Sequence, residues 1–433
     1  MRRLLVPLCV SVVALLASAA VIPIAPASAA SSSTPIVVGG EGSLAENPDI
    51  SAGFNAGLYR FNQAGGLDGR KIQYTGFLDD GFSPATSLTN VQQLVDNKHV
   101  MAVVPLLSSV ATSATGAFLA TNKTPFVGWS INAAFETQPK WGFGINGNQG
   151  NPQVQGLSGM LQLLQATGNA KTPHKLKLAL IAENIPGGII SNASLAGVAT
   201  VAGIDVVYQK APVPISGVTT YAPYAQALVS SGANAIYQVL DAPDSVGLAA
   251  ALKSDNFKGP VVNGVTYFPG QLASQPNEAA ALNGVYIENE FPANENNTAA
   301  TKQESKDLVS TGQPGNLTSG VSVGYWSAIV FEQMLKATLQ KVGGNPSKVT
   351  GATLQKTVTG GWTYKDPIAG GIGTETFPAA ETIPTGCGTL IKTVGTKYQQ
   401  TTPYQCLGAV NIKTKQVLSQ TTGKPTGVYK PPT

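Results

Sequence analysis

The chain is short of charge. Only 12% of its 433 residues are Asp, Glu, Lys or Arg, about half the share of an ordinary soluble domain. The formal net charge is +4, spread along the chain without a lysine or arginine cluster, so the electrostatic footprint of a nucleic-acid binder is missing. Histidine is scarcer still, with only His99 and His174. Together with three cysteines they make no ligand set of zinc-like spacing. No paired carboxylates and no Cys/His pair support an enzyme. Beyond residue 30 no apolar run is long enough to span a bilayer.

What is present begins at the N-terminus. Arg2 and Arg3 precede an apolar run over residues 4–21, then Pro23, Pro26 and the small residues Ala27-Ser28-Ala29-Ala30. This order is that of a secretory leader, residues 1–30, cleaved after Ala29 or Ala30; an uncleaved anchor is the alternative. The mature chain is then expected outside the cytoplasm, in the periplasm or cell envelope. Cys9 leaves with the leader. Cys387 and Cys406 remain, and in an oxidising compartment they are expected to pair. The short loop they close would add about 3 kcal/mol on the chain-entropy argument.

Short β-rich runs alternate with longer helical patterns. Ile36-Val37-Val38 reads as a buried strand ending at Gly39-Gly40, and Asn47-Pro48 as the start of a helix reaching Gln63. Strands over 71–78, 101–105 and 125–127 and helices over 84–95 and up to 120 continue the rhythm. It resumes with strands over 176–182, 204–208, 235–240, 260–262 and 284–288 and helices over 190–202, 221–230 and 245–253. Repeated βα units predict parallel sheets with helices on both faces. Two such blocks, separated near residues 142–150, predict two doubly wound lobes of α/β class. Helices over 320–341 and 349–358 follow, then a Gly/Thr-rich, strand-like region, and residues 422–433 read as a loose tail. Parallel sheets bind ligands beyond the carboxyl ends of their strands, which directs attention to the loops over 39–47, 79–83, 106–110, 128–133, 183–189, 241–244 and 263–269.

Several motifs lie in or near these loops. Gly40-Glu41-Gly42-Ser43-Leu44-Ala45 fits the dinucleotide pattern G-x-G-x-x-A, but the acidic residue expected about 20 positions on is absent; a tight turn at the cleft rim is the plainer reading. Gly320-Val321-Ser322-Val323-Gly324 fits the nucleophile elbow of a secreted hydrolase, yet no histidine follows Ser322 and the segment reads as a helix start. Ser108 and Ser109 follow an apolar strand and open a helix, so they either meet an anionic oxygen or cap their own helix, or both. Trp129 either covers the apolar part of a ligand or packs in the core. Tyr237, Tyr267, Phe268 and Phe291, near strand ends of the second block, carry the same pair of readings. Glu183 and Asp241 are the second-lobe acids for a ligand ammonium, with helix capping as the alternative.

The stretch from Gly53 to Ser109 carries A-G-x-x-x-x-F-N-x-A-G-G-L-x-G-R-x-I, then Leu78-Asp79-Asp80 with Pro84, then the strand into Ser108-Ser109. It resembles the branched-chain amino-acid-type substrate-binding proteins of ABC importers, the type I periplasmic binding proteins, and weaker similarity covers most of the mature chain. The resemblance implies two lobes joined by a three-strand hinge: residues 35–145 with 295–365, and residues 146–294 with 366–421. In relatives the loops matching Ser108-Ser109 and Ser130-Ile131-Asn132 hold the ligand's carboxylate. Second-lobe loops, here carrying Glu183, Ile185, Tyr237, Asp241 and Tyr267, supply an aromatic wall and an acid. Two departures bear on the ligand. Relatives have an Asp…Tyr-Gly pattern where this chain reads Glu183-Asn184-Ile185-Pro186-Gly187-Gly188, and Trp129 is bulkier than the usual small residue. Other members bind amides, aromatic acids or other small organic molecules.

The reading is an extracytoplasmic solute-binding protein, not an enzyme, without cofactor or metal. It would take a small polar or amphipathic ligand (an amino acid, amide, or aromatic or organic acid) into an inter-lobe cleft and deliver it to an ABC importer by closing over it. Its partners would be the solute and the permease subunits, with no nucleic acid, membrane contact only through the permease, and a monomeric state. A ligand sensor signalling to a membrane receptor on the same fold is the alternative; a secreted serine hydrolase is a third.

Overall fold

The computed structural model describes residues 34–149 and 151–432; the expected leader and Cys9 lie outside them. In chain order, the first block runs β1 (Ile36–Gly42), α1 (Ile50–Gln63), β2 (Ile72–Asp79), α2 (Pro84–Gln92), β3 (Ala102–Leu107), α3 (Ser113–Thr121), β4 (Phe126–Gly128), α4 (Ala133–Thr137) and β5 (Gly142–Gly144). The second runs β6 (Val154–Gly156), α5 (Ser158–Ala166), β7 (Lys177–Glu183), α6 (Pro186–Val201), β8 (Asp205–Val213), α7 (Ala222–Ser230), β9 (Ala235–Val239), α8 (Ala242–Ser254), β10 (Val261–Asn263), α9 (Pro276–Leu282) and β11 (Tyr286–Asn289). Then come α10 (Ala299–Ser310), α11 (Ser319–Lys341), α12 (Gly351–Thr359), β12 (Thr363–Tyr364), β13 (Glu375–Thr376), β14 (Cys387–Val394), β15 (Lys397–Gln400), β16 (Gln405–Cys406), β17 (Ala409–Asn411), β18 (Gln416–Leu418) and β19 (Pro425–Val428).

The first sheet has the order β2-β1-β3-β4-β5, all parallel. The second repeats the same winding as β8-β7-β9-β10-β11 and extends it antiparallel through β14 and β15. The strand order reverses between β1 and β3 in one sheet and between β7 and β9 in the other. These are the two topological switch points, where crevices open beyond the strand ends. Strands β3 and β7 are buried along almost their whole length, as expected where helices cover both faces.

Helices α1 and α11 pack over the first sheet with almost no space between backbones. A Cβ on Gly53 would stand 2.0 Å from the Val321 carbonyl oxygen, and one on Gly324 would stand 2.2 Å from that of Ile50. Helix caps are local: Ser83, Thr298, Thr318 and Thr350 each accept from a backbone N–H in the first turn of the helix they precede. Helix α1 starts at Ile50, three residues after Asn47, because Asp49 takes the cap position while its carboxylate accepts from Thr318 Oγ1 at 2.6 Å.

The chain crosses between the sheets three times, and the crossings are tied to one another. Asn146 Nδ2 donates to the Glu290 carbonyl at 3.2 Å, Asn148 N to the Ile383 carbonyl at 3.2 Å, and Thr385 N to the Asn146 carbonyl at 2.8 Å. Two expected limits move. Tyr364, Ile372, Phe377 and Ala380 pack into the core under the first sheet, so the chain returns to the second lobe after Ala380, not at residue 366. Residues 422–433 are not simply a loose tail: β19 pairs with β18 and completes a four-stranded sheet with β17 and β6, because the ladder offers its edge hydrogen bonds there. Cys387 and Cys406 are joined by a disulfide.

Candidate functional site

Both switch points face one cavity of about 210 Å³. That is more than the ~150 Å³ that encloses benzene and less than the ~300 Å³ at which drug-sized pockets begin. From the first lobe the wall takes Glu46 and Asn47 after β1, Ser109 after β3, and Trp129 and Ile131 after β4. From the second it takes Glu183 and Ile185 at the end of β7, the glycines opening α6, and Val239 and Leu240 ending β9. The floor is the crossover, where Gln149 and residues 288–291 join the lobes.

Of the residues predicted from sequence, Ser109, Trp129, Ile131, Glu183, Ile185 and Tyr237 line this cavity. Trp129 Nε1 donates to both Glu290 Oε2 and Gln149 Oε1 at 2.8 Å, and its indole meets the Phe291 ring edge-on at 6.0 Å. Tyr237 donates its hydroxyl to Glu288 Oε2 at 2.5 Å. A Cβ on Gly159 would strike Glu288 Oε1 at 2.0 Å, so the first turn of α5 leaves room for that carboxylate only because it carries glycine.

The other five stand behind the wall. Ser108 donates its hydroxyl to Asp80 Oδ2 at 2.6 Å and accepts from Val110 N at 3.2 Å. Ser130 Oγ donates to the Gly147 carbonyl at 2.7 Å and accepts from Gln149 N at 2.8 Å, latching the β4 loop to the crossover. Asn132 caps α4 with Oδ1 and donates from Nδ2 to the Ser108 carbonyl at 2.8 Å. Asp241 caps α8 through Asp244 N at 2.8 Å, the alternative that its strand-end position had left open. Tyr267 is wholly buried; its hydroxyl donates to Glu295 Oε2 at 2.6 Å, and its ring lies 5.0 Å from that of Tyr398. Each has a polar atom engaged by a protein partner.

Sequence reasoning missed Glu46, Gln149, Gln238, Glu288 and Glu290. The signal available was an odd one: Tyr286-Ile287-Glu288-Asn289-Glu290 places one acid in a strand and another just past its end, beside buried apolar residues, where unpartnered carboxylates are costly. Burial dominates their electrostatics. With the charges of Glu183, Asp80 and Asp241 it pushes Glu46 up to about 8. Burial, then Asp241 and Asp244, pushes Glu183 up to about 7 against the hydrogen bond from Asp241 N. Burial pushes Glu290 up to about 7 against donors from Gln149, Trp129 and Asn146. Glu183, Asp241 and Asp244 each bring an oxygen within 4.8 Å of the others, close enough for their charges to repel one another.

The two catalytic-looking motifs resolve otherwise. Gly42 sits in β1 where a Cβ would overlap the Leu107 carbonyl oxygen at 1.5 Å, so the glycine serves strand packing. Ser322 lies inside α11 and donates to the buried Glu304 at 2.9 Å. No helix among the described residues is long and apolar enough to cross a membrane.

No curated protein matches the chain in sequence. Among solved structures, a fatty acid ABC transporter substrate-binding protein from Thermomonospora curvata superposes with a TM-score of 0.71 at 18% identity, over 90% of this chain and 96% of that one. A branched-chain amino acid ABC transporter protein from Thermus thermophilus with bound valine gives 0.68 at 13% identity, over 86% and 96%. A solute-binding protein of an R. palustris ABC transporter in complex with 4-hydroxybenzoate gives 0.63 at 19% identity, over 83% and 92%. These likenesses establish the shared fold, and the periplasmic binding protein profile matches residues 37–393. The chain, with its two switch points turned to one crevice, belongs to the periplasmic binding protein family.

Proposed function

We propose that this protein is an extracytoplasmic solute-binding protein that closes its two lobes over a small molecule, leaves it chemically unchanged, and delivers it to the permease of an ABC importer. The observation that carries the reading is the cavity of about 210 Å³ walled by both switch points and floored by the crossover. A ligand there touches both lobes at once, so its binding energy favours the closed arrangement over the open one. The family places the protein outside the cytoplasm, and the basic, apolar and small-residue order of residues 1–30 supplies the export signal for that location. The related structures were described with valine, 4-hydroxybenzoate or fatty acid transport, which supports a small organic solute here.

The test is a thermal-shift and calorimetric screen of amino acids, amides, amines and organic acids on the purified protein. A ligand specific to the folded form raises the melting temperature, and small-angle scattering should show a smaller radius of gyration when it binds. A bound compound recovered chemically altered would overturn the reading.

A further inference from the structure

We propose that the solute is a small organic cation, an amine or guanidine on an apolar or aromatic body, and not a carboxylate anion; this rests on the solute-capture reading above. The walls of the cavity carry the argument. Glu46, Glu183, Glu288 and Glu290 line it, and the described lining residues include no lysine, arginine or histidine. Glu46 makes no hydrogen bond through its carboxylate among the described residues, and Glu183 is engaged by one backbone N–H, that of Asp241.

Several of the side-chain donors that the cleft loops carry are already used. The Ser108 hydroxyl is held by Asp80, the Trp129 N–H by Glu290 and Gln149, and the Asn132 amide by the Ser108 carbonyl. What remains open is the four carboxylates, the unpartnered hydroxyls of Ser109, Ser194 and Ser319, which can donate or accept, and one amide. Gln238 lines the cavity at 1% exposure with neither its amide oxygen nor its nitrogen partnered, an independent mark of a polar group missing from the site. Ile131, Ile185, Leu195 and Phe291 form the apolar part of the wall, and the indole of Trp129 offers a face suited to a cation.

The charged groups around Glu46 and Glu183 are all of one sign. Glu46 faces Glu183, Asp80 and Asp241; Glu183 faces Asp241 and Asp244, the latter bonded to Tyr221; on the floor, Glu288 faces Tyr237 and Glu290. An entering cation relieves that repulsion and draws the protons off Glu46 and Glu183, which lie at about 8 and about 7 without it. Binding of an amine that stays protonated over this range therefore strengthens as pH rises, and binding of an anion weakens.

The experiment compares two isosteres of opposite charge, 2-phenylethylamine and 3-phenylpropionate, by calorimetry and thermal shift at pH 6.0 and 8.5. The amine should bind, at least tenfold more tightly at pH 8.5, as follows when the carboxyl near 7 must ionise and by more where Glu46 ionises with it; the acid should not bind. Glu183→Gln should lose about tenfold in affinity and flatten the pH dependence, with Glu46→Gln as the second variant if the first fails to fold. Binding of the acid in preference to the amine overturns the inference and leaves solute capture standing. So does a panel in which only neutral amides or zwitterions bind. Silence of every solute in the panel overturns both.

Discussion

Gly187 and Ser109 meet across the cleft. A Cβ built on Gly187, in the first turn of α6, would stand 2.7 Å from the Ser109 carbonyl oxygen at the end of β3. The obstruction would be a methyl group against backbone, so no side-chain rotation relieves it. Gly187→Ala should therefore hold the lobes apart without disturbing either core. Its ligand-induced melting shift should be clearly smaller than that of the parent, while its unfolding free energy without ligand changes by less than about 0.5 kcal/mol.

The indole of Trp129 ties the β4 loop to the crossover through Glu290. Trp129→Phe keeps an aromatic ring and removes the N–H. A hydrogen bond to an ionisable buried partner is worth about 1.5–3 kcal/mol, and Gln149 remains to share Glu290, so a loss near the lower figure is expected in urea denaturation. Solute affinity should fall as well, since the same ring lines the cavity.

Stability should fall from mildly acidic to mildly basic pH. Glu46 and Glu304 lie at about 8, and Glu183, Glu290 and Glu381 at about 7, each raised chiefly by burial. The folded state then holds protons that the unfolded chain releases above about pH 4.3. Their stabilising contribution is complete below that pH and is lost as pH rises to about 8. The melting temperature of the ligand-free protein at pH 5.5 should exceed that at pH 8.5 by several degrees. Glu304→Gln, which copies the protonated form, should reduce that difference.

Gly53→Ala forces a methyl group to within 2.0 Å of the Val321 carbonyl oxygen. Helices α1 and α11 would have to separate, opening the core that holds Phe54, Trp326 and Phe331. Overpacking of this kind costs about 1–3 kcal/mol, and backbone contact favours the upper end. Guanidinium unfolding followed by tryptophan fluorescence measures it.

Reducing the Cys387–Cys406 disulfide, which spans 19 residues, should lower stability by about 3 kcal/mol on the loop-entropy argument. Comparing Cys387→Ser/Cys406→Ser with the parent in urea reads the loss directly. A difference below about 1 kcal/mol would mean that the four-stranded sheet at β17 holds the segment without it.

Much of the fold was legible because its signals are local. Apolar runs such as Val103-Val104 and Leu178-Ala179-Leu180 mark strands buried on both faces, and Pro84 marks a helix start, whereas the helix expected from residue 190 begins at Pro186. The loops beyond strand ends were legible too, since a parallel sheet leaves its crevice there. The limits were less so. β1 continues to Gly42 because β2 and β3 both pair with it, and β19 exists because β18 offers an edge. Neither partner is near in sequence.

By itself the sequence determined two doubly wound α/β blocks, the disulfide pair, and a crevice bordered by Ser109, Trp129 and Glu183. Only the tertiary structure decided which polar side chains face that crevice. Ser108, Asn132, Asp241 and Tyr267 carry the same atoms as their cavity-lining neighbours, but Asp80, a carbonyl, a helix start and Glu295 respectively engage them. Glu288 and Glu290 reach the floor because a crossover carries them between the lobes. The reason is physical: strand periodicity and turn chemistry act over a few residues. A polar atom is free for a ligand only when no other part of the chain arrives to bond it, and that is settled by packing.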